Sequence, residues 1–253
     1  MFTKSIMGLI ITLGVLIFSS CNKSPTKTLA YNLEHDGVPT SSEYIIACAA
    51  GMPEGFMGAE DYPVSMFFYP VENATNFKYY ETLGENIDQF NYSLYLPQEV
   101  SEEYVFNGYL RRFPLLKNKK NRWGIVTYEV NGATRICNPV HIKVGTTPTA
   151  WAPNSISITN NGTTPTFNWT ENIDHNNAIH FQVVSGSNND LISGTYTYDS
   201  QWQFYDLSNV VLNITDLSAP PILISNTDYQ FTLMSVTQDN WVNLFGQKEF
   251  TTE

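Results

Sequence analysis

Residues 124–144, GIVTYEVNGATRICNPVHIKV, decide the fold class of this chain. The first seven form a short apolar run of the length of a β-strand. Asn131-Gly132 follows, and this dipeptide is the strongest short signal for a two-residue β-hairpin. Residues 134–144 then supply the returning strand. The stretch therefore predicts an antiparallel hairpin.

Along the rest of the chain, on both sides of the hairpin, short apolar runs alternate with turn signals. Only 15% of the 253 residues are charged, and Asn, Thr, Ser and Tyr stand in their place. That composition favours strands and turns over helices. Further strands are predicted at 44–50, 64–69, 77–82, 90–96, 105–110, 155–159, 166–170, 179–185, 194–198, 210–215, 229–237 and 247–252.

A domain boundary is predicted at residues 145–154, GTTPTAWAPN, which contain two prolines and no charge. Seven predicted strands follow within roughly 100 residues, a density typical of a β-sandwich. The predicted domains are residues 40–145 and 146–253.

The second domain resembles a fibronectin type III domain. Residues 166–170, TFNWT, look like its B strand, and Leu223 and Tyr229 look like its leucine and tyrosine corner. The resemblance implies that Trp169, Leu223 and Tyr229 are core residues. It departs from the family at Ser225, where a proline is usual. The first domain has a similar length and a similar spacing of predicted strands. The predicted fold class is therefore all-β, with two tandem immunoglobulin-like or fibronectin type III-like β-sandwiches.

The N-terminus predicts export. Residues 6–18 are an apolar run of 13 residues after Lys4. As a helix this run would reach about 20 Å, short of the roughly 30 Å hydrocarbon core, so a cleaved signal peptide over residues 1–20 is favoured over a transmembrane anchor.

The sequence Phe18-Ser19-Ser20-Cys21 resembles the lipobox of bacterial lipoproteins, with Phe18 where leucine is usual. The resemblance implies cleavage before Cys21 and its conversion to a diacylglyceryl thioether with an acylated amine. The same resemblance implies, from Asn22 in place of an aspartate, that the protein is held at the outer membrane, on either its periplasmic or its surface face. The alternative is a secretory peptide followed by an ordinary cysteine. Residues 21–39 are then expected to be the lipidated cysteine and a flexible tether.

The formal net charge of −11 argues against a nucleic acid partner. Residues 146–253 carry one basic residue and ten acids, a net charge of −9. Basic residues cluster instead in the first domain. This cluster is interpreted either as a site for acidic glycans, lipid headgroups or an acidic domain, or as a solvated loop that balances local acids. Its members are Arg111, Arg112, Lys117, Lys119, Lys120 and Arg122.

Once Cys21 is lipidated, two cysteines remain. Cys48 and Cys137 could form a disulfide in an oxidising compartment, or each could be a separate buried thiol. A Cys–His nucleophile is not expected, because Cys48 lies in the apolar run IIACAAG.

No cofactor or metal motif is recognised. The four histidines have no zinc-ligand spacing with cysteine or aspartate. Asn172, Asp174 and Asn176 match the first three positions of a calcium loop, but Asn177 and Val183 replace its glycine and glutamate. Residues 172–176 therefore predict either a loose cation site or an ordinary Asn/Asp turn.

Aromatic residues make up 14% of the chain and crowd residues 196–205, YTYDSQWQFY. Trp202, Phe204 and Tyr205 are the candidate ligand or partner site, since exposed aromatics stack on sugars and anchor partners. The alternative is that they pack between sheets. The predicted function is a non-catalytic, lipid-anchored binding or spacer module for a protein or glycan. A carbohydrate-binding accessory lipoprotein of a glycan-uptake system is the alternative, and an enzyme comes third.

Overall fold

The structure is a computed structural model that describes residues 27–52, 63–115, 120–171, 176–215 and 221–253. Strands dominate these ranges and form four sheets, which confirms the all-β class. No helix within them is long and apolar enough to cross a membrane. Their helical elements are α1 (Leu29–His35) and short 3₁₀ turns at Tyr92–Leu94, Phe106–Gly108 and Pro153–Ser155.

The first sandwich packs sheet A against sheet B. Sheet A has the order β1-β9-β8-β4-β5, with β10 also paired to β8, and sheet B has the order β2-β3-β7-β6. Sheet A contains β1 (Thr40–Ile45), β4 (Thr75–Glu81), β5 (Leu96–Gln98), β8 (Arg122–Val130), β9 (Ala133–Cys137) and β10 (Val140–Ile142). Sheet B contains β2 (Ala47–Gly51), β3 (Val64–Phe68), β6 (Glu103–Val105) and β7 (Leu110–Leu115).

The second sandwich packs sheet C against sheet D. Sheet C has the order β11-β19-β18-β14-β15-β17, and sheet D has the order β12-β13-β16. Sheet C contains β11 (Ala150–Trp151), β14 (Asn177–Gly186), β15 (Leu191–Thr197), β17 (Val210–Asn213), β18 (Asp228–Thr237) and β19 (Val242–Thr251). Sheet D contains β12 (Ile156–Thr159), β13 (Thr166–Trp169) and β16 (Gln201–Gln203).

The hairpin between β8 and β9 forms as its sequence predicts. Asn131 and Gly132 both have left-handed backbone, with φ of 52° and 73°. Val130 pairs with Ala133 across the two-residue turn. This is the backbone that an Asn-Gly turn supplies at low steric cost, and its twist matches that of the flanking strands.

The core of the second sandwich contains the residues that the fibronectin resemblance implies. Trp169, Leu223 and Tyr229 are all buried in one cluster between sheets C and D. The Tyr229 hydroxyl accepts a hydrogen bond from the backbone N–H of Ile224 at 2.9 Å. The phenol therefore fastens the segment before β18 to the strand itself, as in a tyrosine corner.

The two sandwiches pack against each other through the outer faces of sheets B and C. Their shared apolar cluster joins Phe67 and Leu110 of sheet B to Phe181, Met234 and Phe245 of sheet C. The result is a stack in the order A, B, C, D, in which each middle sheet contributes buried residues to two cores. The five residues of β3 are all buried, as expected for a strand covered on both sides.

The turn between β18 and β19 crosses into the first domain. Its Trp241 is fully buried in the core between sheets A and B, and its indole N–H donates to the Thr147 carbonyl at 2.8 Å. Ala49 of β2 donates its N–H to the Asn240 carbonyl at 3.0 Å. A side chain of one domain thus completes the core of the other.

The tether predicted at residues 21–39 is wrong for its second half. Residues Leu29–His35 form α1, which begins after the cap Thr28, whose hydroxyl accepts from the Tyr31 N–H at 3.3 Å. Leu29 is buried in the core of the first sandwich and Leu33 packs against it. The apolar Leu29 and Leu33, four residues apart, give this short helix a face to bury.

Two predicted strands are also replaced by turns. Residues 90–96 contain the 3₁₀ turn Tyr92–Leu94, because the Asn91 side chain accepts from the Ser93 N–H and caps it. Residues 105–110 contain the turn Phe106–Gly108 between β6 and β7. The dipeptide Asn107-Gly108 is a hairpin signal of the same kind as Asn131-Gly132 and marks this turn in the sequence.

Candidate ligand site at the domain junction

The site predicted at Trp202, Phe204 and Tyr205 is wrong as an exposed aromatic surface. Trp202 and Phe204 are 1% and 3% exposed and lie in the core between sheets C and D. Trp202 pairs with Phe167 across β16 and β13, and its indole N–H donates to the Asp206 carbonyl at 3.0 Å. Residues two apart on a strand share a face, and here that face is the buried one. Tyr205 is half-buried against this core.

A cleft of about 380 Å³ opens instead where the edges of sheets B and C meet. Its apolar lining includes Phe67 and Phe106 from the first domain and Met234 and Phe245 from the second, all of them buried. The bottom of the cleft is therefore formed by residues of the apolar cluster that the two domains share. Clefts between domains are frequent ligand sites.

Five amide side chains line the cleft above this floor: Asn107, Asn188, Asn189, Gln230 and Gln247. They come from the β6–β7 turn, the β14–β15 turn, and strands β18 and β19. The side-chain amide of Asn107 donates to the Asp190 carboxylate, so the two turns are joined across the domain boundary. Gln247 donates to the Thr232 hydroxyl at 3.0 Å, which orients its amide.

The β6–β7 turn has unusual backbone. Phe106, Asn107 and Gly108 have φ of 49°, 52° and 94°, three left-handed residues in a row. Left-handed backbone is unfavourable for a bulky residue such as Phe106. Burial of the Phe106 ring in the interdomain core holds the turn in this shape and directs it towards the cleft.

Tyr104 stands at the mouth of the cleft and is 69% exposed. Its ring is supported by the Arg111 guanidinium, whose central carbon lies 4.8 Å from the ring centroid. Arg111 is itself held by an ion pair with Glu102 at 2.8 Å. Tyr104 pairs with Arg111 on the face of sheet B that is turned towards sheet A, so its exposed ring lies at the rim of the cleft and not on its floor.

Among the described residues, those that line the cleft carry no carboxylate, ammonium or guanidinium group. Amides donate and accept hydrogen bonds without charge, and aromatic rings stack on the apolar faces of sugars. This chemistry fits a neutral ligand rich in hydroxyl groups. None of the residues named from the sequence as ligand-binding lies in this cleft.

The structure brings two histidines next to carboxylates, which the sequence spacing did not indicate. His180 is 2% exposed, with Nδ1 3.0 Å from the Ser235 hydroxyl and Nε2 2.8 Å from a Glu171 oxygen. Burial lowers the pKa of His180, against the opposing effect of Glu171. Ser235 is fully buried, so this Ser-His-Glu group has no room for a substrate.

The second histidine, His141, lies between carboxylates of both domains. Its Nε2 is 2.8 Å from Glu85 and its Nδ1 is 3.1 Å from Asp239, and the Trp123 ring stacks on it at 4.3 Å. Lys143 forms an ion pair with Asp239 at 2.9 Å. Both ring nitrogens of His141 are bound by carboxylates, and the group contains no nucleophile. We therefore interpret this cluster as a contact that holds the two domains together.

The disulfide considered for Cys48 and Cys137 does not form, and both are free thiols. Cys137 is buried between sheets A and B, whereas Cys48 lines an apolar cavity of about 200 Å³ between the domains. They belong to different sheets that face different cores. Burial raises the pKa of both thiols to about 12.

The basic cluster is not a free cationic surface in the residues described. Arg111, Arg112 and Arg122 form ion pairs with Glu102, Glu103 and Glu81. The Arg122 side chain is only 2% exposed. These pairs agree with the interpretation that the cluster balances local acids. Lys117 and Lys119 lie outside the described residues.

Three sequence predictions fall wholly or largely outside the described residues: the signal peptide, Cys21, and residues 172–175 of the calcium-like turn. Within the part that is described, no group of three or more His, Cys, Asp or Glu residues could hold a metal ion.

No family model matches the sequence, and no curated protein does. Among solved structures, the chain is similar to the crystal structure of titin domains A168–A170, at 7% identity with a TM-score of 0.26. That match covers 87% of this chain but only 63% of the titin fragment. A second match is the chicken interferon gamma receptor alpha chain, at 9% identity with a TM-score of 0.24, covering 75% of this chain and 91% of the receptor chain. At such identities and scores the likeness says nothing about activity.

Proposed function

We propose that this protein is a non-catalytic binding protein of the cell envelope, anchored to the outer membrane through lipidated Cys21. Its ligand is a neutral oligosaccharide held in the interdomain cleft. The observation that carries the proposal is the juxtaposition of exposed Tyr104 with five uncharged amides over an apolar floor. The earlier candidate site at Trp202 is replaced by this cleft.

Two features support binding rather than catalysis. The His180 group is buried, and both ring nitrogens of His141 are occupied by carboxylates. The domain interface also fixes the two walls of the cleft relative to each other. A preorganised site loses less conformational entropy on binding than one assembled by the ligand.

The test is binding of residues 22–253 to an array of neutral oligosaccharides, followed by calorimetry with any glycan that binds. Tyr104→Ala should weaken binding at least about tenfold, or about 1.4 kcal/mol, through the loss of ring stacking. Tyr198→Ala is the matched control, because Tyr198 is 67% exposed, close to the 69% of Tyr104, but lies outside the cleft lining. Absence of glycan binding by folded protein, or equal effects of the two variants, would reject the cleft proposal.

A protein partner is the second candidate, favoured by the edge strand β17. Its exposed Val211 and Leu212 lie on the rim of sheet C, and residues 207–213, LSNVVLN, contain no charge. Uncharged edges accept added strands, and a lysine there prevents pairing. Val211→Lys should abolish recovery of such a partner from the native envelope while glycan binding is unchanged. Recovery that Val211→Lys leaves unaltered would reject this edge as the contact.

A further inference from the structure

An exposed apolar patch lies where the chain enters the fold. The backbone N–H of Leu29, the first residue of α1, donates to the Tyr95 carbonyl at 3.0 Å. Tyr95 is buried and directly follows the 3₁₀ turn Tyr92–Leu94. The turn and its flanks therefore border the point at which the N-terminal segment joins the domain.

Three apolar side chains near this point face solvent. Phe90 is 62% exposed, Leu94 is 39% exposed and Tyr44 is 70% exposed. Phe90 and Leu94 flank Tyr92 in one short turn segment. Tyr44 of β1 pairs with Ile136 of β9, and Ile136 belongs to the core in which Tyr95 is buried and against which Tyr92 packs. We call Tyr44, Phe90 and Leu94 the N-terminal patch.

The length of chain before α1 limits how far this patch can lie from a lipid anchor. Seven residues, 22–28, lie between Cys21 and Leu29, so the two are eight residue steps apart. Whatever their conformation, eight such steps span at most about 28 Å, and a flexible chain of that length averages about 16 Å. Since α1 is folded onto the domain, the reach is much shorter than that of a tether extending to residue 39.

We propose that the N-terminal patch rests on the lipid surface and orients the domain on the membrane. This inference depends on the proposed lipidation of Cys21. Aromatic and aliphatic side chains favour the boundary between headgroups and acyl chains. A short tether raises the effective concentration of the patch at the surface into the millimolar range, so a small contact is sufficient.

Charged groups of both signs lie near the patch. Asp88 accepts a hydrogen bond from the Phe90 N–H at 3.0 Å, and Glu43 next to Tyr44 pairs with Arg135. Lys27, which is exposed just before the cap of α1, adds a positive charge at the same end of the domain. The contact is therefore tested on zwitterionic phosphatidylethanolamine, where apolar burial acts without a net attraction between charges.

The experiment uses the mature protein, purified from its membrane and reconstituted into phosphatidylethanolamine-rich vesicles. A fluorescent thiol label is placed at Ser93→Cys inside the patch, or at Ser225→Cys in the second domain; both positions are exposed. The native thiols react slowly with the reagent at neutral pH because both have a raised pKa; Cys137 is also buried, and Cys48 is half-buried. Brominated acyl chains should quench the label at position 93 at least twofold more than the label at position 225.

A paired variant tests whether the patch itself makes the contact. Phe90→Ser with Leu94→Ser should abolish the excess quenching at position 93. Ile222→Ser with Ile224→Ser is the control, because these exposed aliphatic residues belong to the second domain. Equal quenching at positions 93 and 225, or quenching that survives the Phe90/Leu94 change, would overturn the inference.

The same labelling separates this inference from the anchoring proposal. If Cys21 is a thioether, the unsubstituted protein takes up no label. Labelling of Cys21 in that protein would reject the anchor itself. An unlabelled Cys21 together with equal quenching at positions 93 and 225 would reject only the patch contact.

Discussion

The imidazole of His141 in the first sandwich lies 3.1 Å from the carboxylate of Asp239 in the second. The two are 98 positions apart in sequence. The contact forms because the turn between β18 and β19 reaches over sheet A, where the His141 N–H also donates to the Asp239 carbonyl at 2.9 Å. Backbone and side chain of one turn are therefore both bound by the other domain.

Acid should weaken this junction through Asp239. Burial by itself raises the pKa of Asp239, but hydrogen bonds from His141, Thr237 and Lys143 outweigh it and hold the pKa well below the ordinary value. The folded-state pKa of Asp239 therefore lies below the unfolded-state value of about 4. Ionised Asp239 stabilises the folded protein above that pH, and this stabilisation is lost as the pH falls below it. Asp239→Asn should cost about 1 kcal/mol at pH 7 and flatten the stability profile below pH about 4.

Urea denaturation at a series of pH values measures this effect. Asp228→Asn is the control, since Asp228 is exposed and bonds within its own domain to Thr251 at 2.6 Å. An Asp239→Asn profile that matches the unsubstituted protein over the acid range would contradict the prediction.

Trp241 should couple the unfolding of the two domains. It is fully buried in the core of the first domain although it belongs to the second. Trp241→Ala should lower the free energy of unfolding by about 3–5 kcal/mol, because it leaves a cavity and an unpaired Thr147 carbonyl. Calorimetry should show one transition for the unsubstituted protein and a lower midpoint for the variant. Trp151→Ala, at a tryptophan that is 42% exposed, should have a much smaller effect; equal losses would count against this role for Trp241.

His180 should make the second domain sensitive to mild acid. Burial lowers its folded-state pKa, so the unfolded chain takes up this proton first as pH falls below about 6.5. The unfolded state then binds more protons, and stability decreases with falling pH. His180→Gln should be less stable at pH 7.5, because the bonds to Glu171 and Ser235 are disturbed, but should lose less stability between about pH 6.5 and 5. Denaturation midpoints across that range test this, and parallel profiles would refute it.

Cys48 and Cys137 should react only when the protein unfolds. Both thiols have a pKa raised to about 12 by burial, so the reactive thiolate is scarce at pH 8. A thiol reagent should modify neither in the native protein and both in urea, and a reductant should leave the melting temperature unchanged. A melting temperature that falls on reduction would reveal a disulfide and contradict the structure.

Local patterns were sufficient for much of the fold. The Asn131-Gly132 hairpin and the core positions Trp169, Leu223 and Tyr229 lie where the sequence places them. Each depends on residues close in sequence, whose turn chemistry and alternation act within one or two strands. The prediction for residues 105–110 was wrong because the apolar run outweighed the turn signal of Asn107-Gly108.

The candidate site could not be predicted from the sequence, for a different reason. Trp202 was a candidate binding residue because its neighbourhood is rich in aromatics, with packing between the sheets as the alternative, and Phe167 from β13 covers it as that alternative requires. Tyr104 and Gln247 line one cleft although 143 positions separate their numbers in the chain. No local period relates residues that far apart.

The sequence by itself determined the all-β class, the turn positions and the apolar side chains that must be buried, because strand alternation and turn chemistry are local. Only the tertiary structure decided that sheet B packs on sheet C, that Trp241 enters the neighbouring core, and that Tyr104 meets the amides of the second domain. A strand that is apolar on both faces must be covered twice, but its own sequence does not say by which partner. That choice depends on the shapes and charges of complete surfaces, which exist only once both sandwiches have folded.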